Sequence, residues 1–278
     1  MRAHFGGSSR ESLKISRVAL DAAVKGATSE SSSKMCNELF FVAQTLAGSI
    51  GLRRAITDPA RDSAAKALLV SEIFSKSIGA QVLGIITTIS SLRWSSSGDL
   101  VQVIEQLAIE AEASAANIAN ELDRLEDEFF ATSQAISHSF ELRKALTGSG
   151  AVAAKTALVA EILGKNGSAS TIKLVDHLVN NLRGRSIEAA FEDYFYALAA
   201  RRNRVIAHVR VVHELSDAQR ERLVKLLTSQ VGQPVRVNIE IDPTIVGGVS
   251  VKFGDEIVDG TISNRLAEAG REVAGAHA

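Results

Sequence analysis

The sequence predicts a mainly α protein with a small α+β C-terminal domain: tandem helical bundles followed by a strand-helix-strand-hairpin-helix unit. Three observations carry that prediction. From Ser9 to about Arg202 the chain is rich in Ala, Leu, Ile, Glu and Lys and contains one proline, Pro59, so helices can run almost without interruption. Within that stretch a helical module is written twice. Beyond Arg202 the composition turns to β-branched residues in alternation, the signature of strands.

The repeat is the most informative of the three. Leu52-Arg53-Arg54-Ala55-Ile56-Thr57 returns as Leu142-Arg143-Lys144-Ala145-Leu146-Thr147, 90 residues later. Ala64 to Lys76 returns as Ala153 to Lys165 at a spacing of 89 with 8 of 13 positions identical, and Leu92-Arg93 returns as Leu182-Arg183. Three matches in one order at a nearly constant offset point to duplication. Inside a module the apolar residues keep helical spacing: Leu68, Leu69 and Ile73, then Val82, Ile85, Ile86 and Ile89, then Val101, Ile104, Leu107 and Ala108. Such faces bury against one another, so each module reads as five or six short helices. Pro59, after Asp58, is expected in the first turn of a helix from Ala60 to Phe74. The expected domains are residues 1–108, the first bundle; 109–202, its second copy; and 203–278, the α+β domain.

In that last domain Val205 to Val212 reads as a strand, and Ser216-Asp217-Ala218-Gln219 as a capping box that opens a helix through Leu223, Leu226 and Leu227, ended by Gly232. Past Pro234, Val235, Val237, Ile239 and Ile241 alternate with Arg236, Asn238 and Glu240. Val249, Val251 and Phe253 alternate in turn, Gly254-Asp255 marks a turn, and Ile257-Val258 begins the return strand of a hairpin. A closing helix is expected from about Ser263 to Ala274.

Composition narrows function. Thirty-one basic and thirty-two acidic side chains nearly cancel, so no global field draws the chain to nucleic acid or an anionic membrane. The lone Cys36 allows no intrachain disulfide and lacks companions for a metal site, which suits a reducing compartment. Met1 to Gly7 carries no apolar leader, and the longest near-apolar run, Val82 to Ile89, falls far short of the roughly 18 residues of a spanning helix. Any membrane association is therefore expected only through a complex.

Local motifs give no catalytic set. Gly164-Lys165-Asn166-Gly167-Ser168 lacks Walker spacing and follows a helix rather than a strand, so it reads as a helix end. Arg183-Gly184-Arg185 and Arg201-Arg202-Asn203-Arg204 have no interleaved aromatics and read as solvated or paired charge. His138, His177, His208 and His213 lack ligand spacing, and Asp123, Glu126, Asp127 and Glu128 form one charged helical face without a facing acidic set. Ser31-Ser32-Ser33 and Ser95-Ser96-Ser97 read as caps and loops, and Trp94 as an anchor at the core or its rim. No catalytic residue, cofactor site or metal site is assigned.

The C-terminal end is more specific. Val237-Asn238-Ile239-Glu240-Ile241-Asp242, Ile245 to Asp255 with its Gly247-Gly248 and Gly254-Asp255 pairs, and Ile257-Val258-Asp259-Gly260-Thr261-Ile262-Ser263-Asn264-Arg265-Leu266 together resemble the signature of the F-type ATP synthase delta subunit family, whose mitochondrial member is the oligomycin-sensitivity-conferring protein. Gly247, Gly248, Gly254, Asp255, Asp259, Gly260 and Arg265 carry that resemblance. The duplicated bundle departs from the usual single one and resembles a long bacterial form.

The resemblance implies a non-catalytic stator subunit in the peripheral stalk, on the cytoplasmic face of the bacterial plasma membrane. Its partners would be the N-terminal helices of the alpha subunits and the C-terminal end of the b subunits. It also implies a groove between the first and fifth helices, lined by Leu13, Leu20, Val24, Ile85, Ile86 and Ile89. A generic helical-repeat adaptor is the competing reading: it accounts for the duplication but not for the glycine and aspartate series.

Overall fold

A computed structural model of the chain describes residues 5–164, 167–201, 205–231, 235–242, 248–253 and 256–261. The chain divides into two compact units, Met1–Leu198 and Ala199–Ala278. The first is built of helices in series: α1 (Gly7–Val24), α2 (Ser29–Gly48), α3 (Ile50–Thr57), α4 (Ser63–Phe74), α5 (Ala80–Ser91), α6 (Ser97–Ile118), α7 (Leu122–His138), α8 (Phe140–Thr147), α9 (Val152–Leu163), α10 (Ala169–Asn180) and α11 (Ile187–Ala200).

The duplication is visible in which residues are buried. Met35, Leu39, Ala43 and Leu46 of α2 match Leu125, Phe129, Ser133 and Ile136 of α7, 90 positions on, and all eight are buried. In α5 the buried set is Val82, Ile85, Ile86, Ile89 and Ser90; in α10 it is Thr171, Leu174, Val175, Leu178 and Val179, each 89 positions on. The polar scaffolding repeats as well. Ser49 and Ser139 cap α3 and α8, accepting from the N–H groups of Leu52 and Leu142. Glu38 accepts from the N–H of Gly79 at 2.9 Å where α5 begins, and its counterpart Glu128 accepts from the N–H of Ser168 at 2.8 Å where α10 begins. A carboxylate at a helix start satisfies an orphan donor and favours the helix dipole.

The copies are not strung end to end. By the same offset α6 is the sixth helix of the first copy and the first helix of the second, so the two bundles overlap by one helix. The boundary expected at 108/109 falls inside α6, and residues 1–198 form one unit. As a shared helix, α6 is buried from Leu100 to Ala116 on every side except at Gln102.

Two expectations about α4 change. The helix starts at Ser63, capped by Asp62 through the N–H of Ala64, while Pro59 sits in a preceding turn closed by Asp58 and the N–H of Ala60. Its buried stripe is Lys66, Val70 and Phe74, one i, i+4, i+8 row, which leaves Leu68 and Ile73 exposed and Leu69 half-buried. Val82, Ile85, Ile86 and Ile89 of α5, and Val101, Ile104, Leu107 and Ala108 of α6, are buried as their spacing predicts. Gly164 ends α9 at φ +56°, a conformation glycine accepts without strain.

In the second unit β1 (Val205–Val211), α12 (Asp217–Val231) and β2 (Val235–Ile241) form a β-α-β crossover with β1 and β2 parallel. β3 (Gly248–Phe253) pairs antiparallel with β1, and β4 (Glu256–Thr261) with β3, giving the order β2-β1-β3-β4. Ala207, Val209, Val211, Val235, Val237 and Val251 supply one buried face against Leu227 of α12, with Leu223 and Val224 beside it. The Ser216 capping box forms in both directions, Ser216 N–H to Gln219 Oε1 at 2.9 Å and Gln219 N–H to Ser216 Oγ at 3.4 Å. Leu226 departs from the expected stripe and is exposed, because Leu223 and Leu227, four apart, already define the inner face.

Of the signature residues, Gly248 opens β3 at φ +88°, again in the region that favours glycine. Asp259 and Gly260 lie near the end of β4, the return strand of the hairpin, opposite Ser250 and Val249. Gly247, Gly254, Asp255, Arg265, Gly232, Pro234, Lys165, Asn166 and the expected closing helix lie outside the described residues.

The Glu128 clamp yields a measurable consequence. Partial burial opposes ionisation, but donation from the Thr171 hydroxyl, the Ser168 backbone and hydroxyl, and Arg124 outweighs it and holds the carboxyl at about 2 against an ordinary 4.5. A depressed carboxyl stabilises the fold above its unfolded pKa, and that stabilisation is lost as pH falls from about 4.5 toward 2. Glu128→Gln is expected to cost about 2 kcal/mol near neutrality, in the range for a bond to a charged group, and to flatten this acid limb. Urea denaturation at a series of pH values checks both.

Candidate docking site

Helices α1 and α5 lie side by side and antiparallel, tied at both ends. Ser12 Oγ donates to the carbonyl of Arg93, just past α5, at 2.6 Å, and Gln81 Nε2 reaches the carbonyl of Ala23 at 3.5 Å. Ser9 adds bonds from its hydroxyl to Asp99 and from the N–H of Ser95 to its Oγ. α1 is further held to α6 by Arg17, whose guanidinium meets the buried Glu110 at 2.8 Å and stands over the Tyr196 ring at 5.7 Å.

The structure brings the six expected groove residues together but faces them inward. Leu13, Leu20, Ile85, Ile86 and Ile89 are buried and Val24 half-buried, so they form the floor that joins the two helices. Leu13 and Leu20 are seven apart on one stripe, and a helix with one apolar stripe spends it on the core. Other residues of the α1/α5 pair are left exposed: Ile15 (41% exposed), Val18 (68% exposed) and Ala22 on α1, and Gln81, Gly84 and Thr88 on α5. The sequence held a signal for them: Ile15 and Val18 are aliphatic residues off the stripe that Leu13 and Leu20 define.

Opposite this pair in the repeat, α6 and α10 carry a charged, closed arrangement. Lys173 of α10 bridges Glu112 of α6 at 2.9 Å, and both bond Ser33 of α2; Ser170 donates to Glu112 at 2.6 Å. Farther along, Glu105 of α6 holds Arg183 at 2.5 Å and Arg185 at 3.1 Å, and Arg185 also meets Asp193 at 3.0 Å. The basic Arg183-Gly184-Arg185 cluster thus neutralises a buried carboxylate, and Arg183 adopts φ +49° there. His177 stacks on Phe40 of α2, ring centroids 3.5 Å apart, and its Nδ1 lies 2.8 Å from the Tyr194 hydroxyl. Burial, then the charges of Arg183 and Arg185, push its imidazole down to about 3 from an ordinary 6.5.

Two outcomes follow from this cluster. A lowered histidine favours the neutral ring in the fold, so stability is full above about 6.5 and declines as pH falls toward 3; an NMR titration should show His177 neutral throughout pH 5–8, and a midpoint near 6.5 would refute the packing. Glu105→Ala removes the buried carboxylate shared by exposed Arg183 and half-buried Arg185, which keeps only Asp193, and is expected to cost about 2 kcal/mol in chemical denaturation, below the scale for breaking a fully buried pair.

The family described as ATP synthase delta (OSCP) subunit matches residues 109–273, which begin inside α6 and take in the second copy and the C-terminal unit. The chain is 39% identical over 269 residues to an ATP synthase subunit delta of Streptomyces coelicolor, covering 96% of this chain and 98% of the relative. It is 40% identical over 275 residues to that of Streptomyces avermitilis, covering 99% and 100%. A chain of the Toxoplasma gondii mitochondrial ATP synthase hexamer aligns over 60% of this chain and 97% of its own length at 15% identity and a TM-score of 0.38. Both Streptomyces relatives run through the first copy as well as the second, and the chain belongs to the ATP synthase delta (OSCP) subunit family.

Proposed function

We infer that this chain is a stator subunit of a rotary F-type ATP synthase, joining the alpha subunits of the catalytic head to the b subunits of the peripheral stalk and resisting rotor torque without catalysing a reaction. The near-complete correspondence with ATP synthase subunit delta proteins carries this reading. The chain acts from the cytoplasmic face of the plasma membrane and reaches the bilayer only through the complex. Among the described residues no helix is long and apolar enough to cross a membrane.

The α1/α5 pair suits a helix-in-groove contact. Its floor is sealed by Leu13, Leu20, Ile85, Ile86 and Ile89, and its rim offers Ile15 and Val18 to an apolar stripe of an alpha-subunit N-terminal helix. The b-subunit end is assigned to the C-terminal unit. A clamp with two separate contacts raises the effective concentration at each, which is how a stator holds against torque without chemistry.

Calorimetry with a synthetic peptide of the first 25 or so residues of the alpha subunit, a helical segment of the length such grooves take, is expected to show saturable binding to the full chain. Absence of binding both to that peptide and to the intact head would overturn the stator reading.

A further inference from the structure

The duplication supplies two first-and-fifth-helix pairs, α1/α5 and α6/α10, and the structure treats them differently. At the spacing of 89, Gln81, Gly84 and Thr88 of α5 correspond to Ser170, Lys173 and His177 of α10. At the spacing of 90, Ile15, Val18 and Ala22 of α1 correspond to Glu105, Ala108 and Glu112 of α6. Every member of the α1/α5 set is exposed, whereas the α6 residues are buried and the α10 residues half-buried.

The covering element is α2 of the first copy. Its Ser29 donates to the carbonyl of Ala115, Ser33 joins Glu112 and Lys173, and Phe40 stacks on His177. Cys36, between them, is fully buried. Ser29, Ser33, Cys36 and Phe40 follow i, i+4, i+7, i+11 spacing, one stripe of one helix. Their counterparts 90 positions on show what the cover adds: Ala119, at the end of α6, and Asp123, on α7, are exposed where Ser29 and Ser33 are half-buried.

We propose that α2 is a built-in occupant of the second copy's groove, so that the chain has one open helix-binding groove, α1/α5, although its sequence encodes two. This deepens the stator reading by assigning the alpha-subunit helix to the first copy and by fixing one helix per chain. It runs against the family match, which begins inside α6 and would by itself place the contact on α6/α10. The charges define the occupant. The closed groove presents Glu112 and Lys173 to the Ser33 hydroxyl, while the open one presents Ala22 and Gly84 at those positions. A partner helix for α1/α5 therefore carries an uncharged, apolar stripe.

Thiol accessibility tests the closure without any ligand. In the full chain Val18→Cys is expected to react with an aromatic disulfide reagent on the order of 100-fold faster than Ala108→Cys, its counterpart, with wild type reporting the background from buried Cys36. Comparable rates would overturn the proposal. Calorimetric titration with the alpha-subunit peptide is the second measurement: one site per chain, weakened about tenfold or more by Val18→Asp and unchanged by Lys173→Ala, is expected. Two sites, or a single site lost in Lys173→Ala and kept in Val18→Asp, would overturn it. Peptide binding absent throughout, with Ala108→Cys still protected, would sink the stator reading while leaving the closure of the second groove in place.

Discussion

Helix α6 must satisfy two bundles at once. It closes the first as a sixth helix and opens the second as a first, so apolar surroundings meet it from both sides. A helix in that position would ordinarily be apolar all round. This one carries Glu105, Glu110 and Glu112, each buried to within about 2% of full exposure loss. Burying a carboxylate costs several kcal/mol unless it is paired and hydrogen-bonded, and each of these is: Glu110 by Arg17 and Gln106, Glu112 by Lys173 with Ser33 and Ser170, Glu105 by Arg183 and Arg185. The partners come from α1, α2, α10 and the segment between α10 and α11. Breaking one pair would therefore loosen a helix on which both copies rest.

Specific pairing also fixes register. A purely apolar shared helix would leave α1 and α10 free to slide along it, since hydrophobic burial is not directional. Three carboxylates at fixed heights, each with a cation from a different segment, set where those segments lie. The Glu38 and Glu128 clamps do the same within each copy, holding the starts of α5 and α10 against α2 and α7. One turn of sequence, repeated, thus sets equivalent helices at equivalent heights. The difference between the copies then arises from what each has as a neighbour: the second has α2 of the first across its groove, and the first has no counterpart there among the described residues.

For the stator role proposed above, such a build is mechanically sensible. Two bundles sharing a helix cannot hinge about a linker, so load passes through packed side chains rather than through a flexible joint. The C-terminal unit relies on another device, a parallel β1/β2 pair bridged by α12, in which Leu227 and Leu223 cover one face of the sheet.

Much of this was legible in the sequence because it is local. The helical period, the 89 and 90 residue spacings, the Ser216 capping box and the strand alternation are read directly along the chain, and they gave the elements and the duplication, while the family came from the resemblance carried by the glycine and aspartate series of the C-terminal end. The sharing of α6 was not legible, since a helix that belongs to two bundles has the same 3.6-residue period as one that belongs to either. Nor was the inward role of Leu13 and Leu20: such a stripe looks the same whether it lines a groove or fills a core, and only the packing of α5 against α1 decides, although Ile15 and Val18 stand out in the sequence as aliphatic residues off that stripe. The parallel pairing of β1 with β2, the burial of Lys66, the stacking of His177 on Phe40 and the closure of the second groove likewise join residues far apart in sequence. Those contacts are set by tertiary packing, where the cost of stranding a buried charge or exposing an apolar stripe chooses among arrangements that the local sequence permits equally.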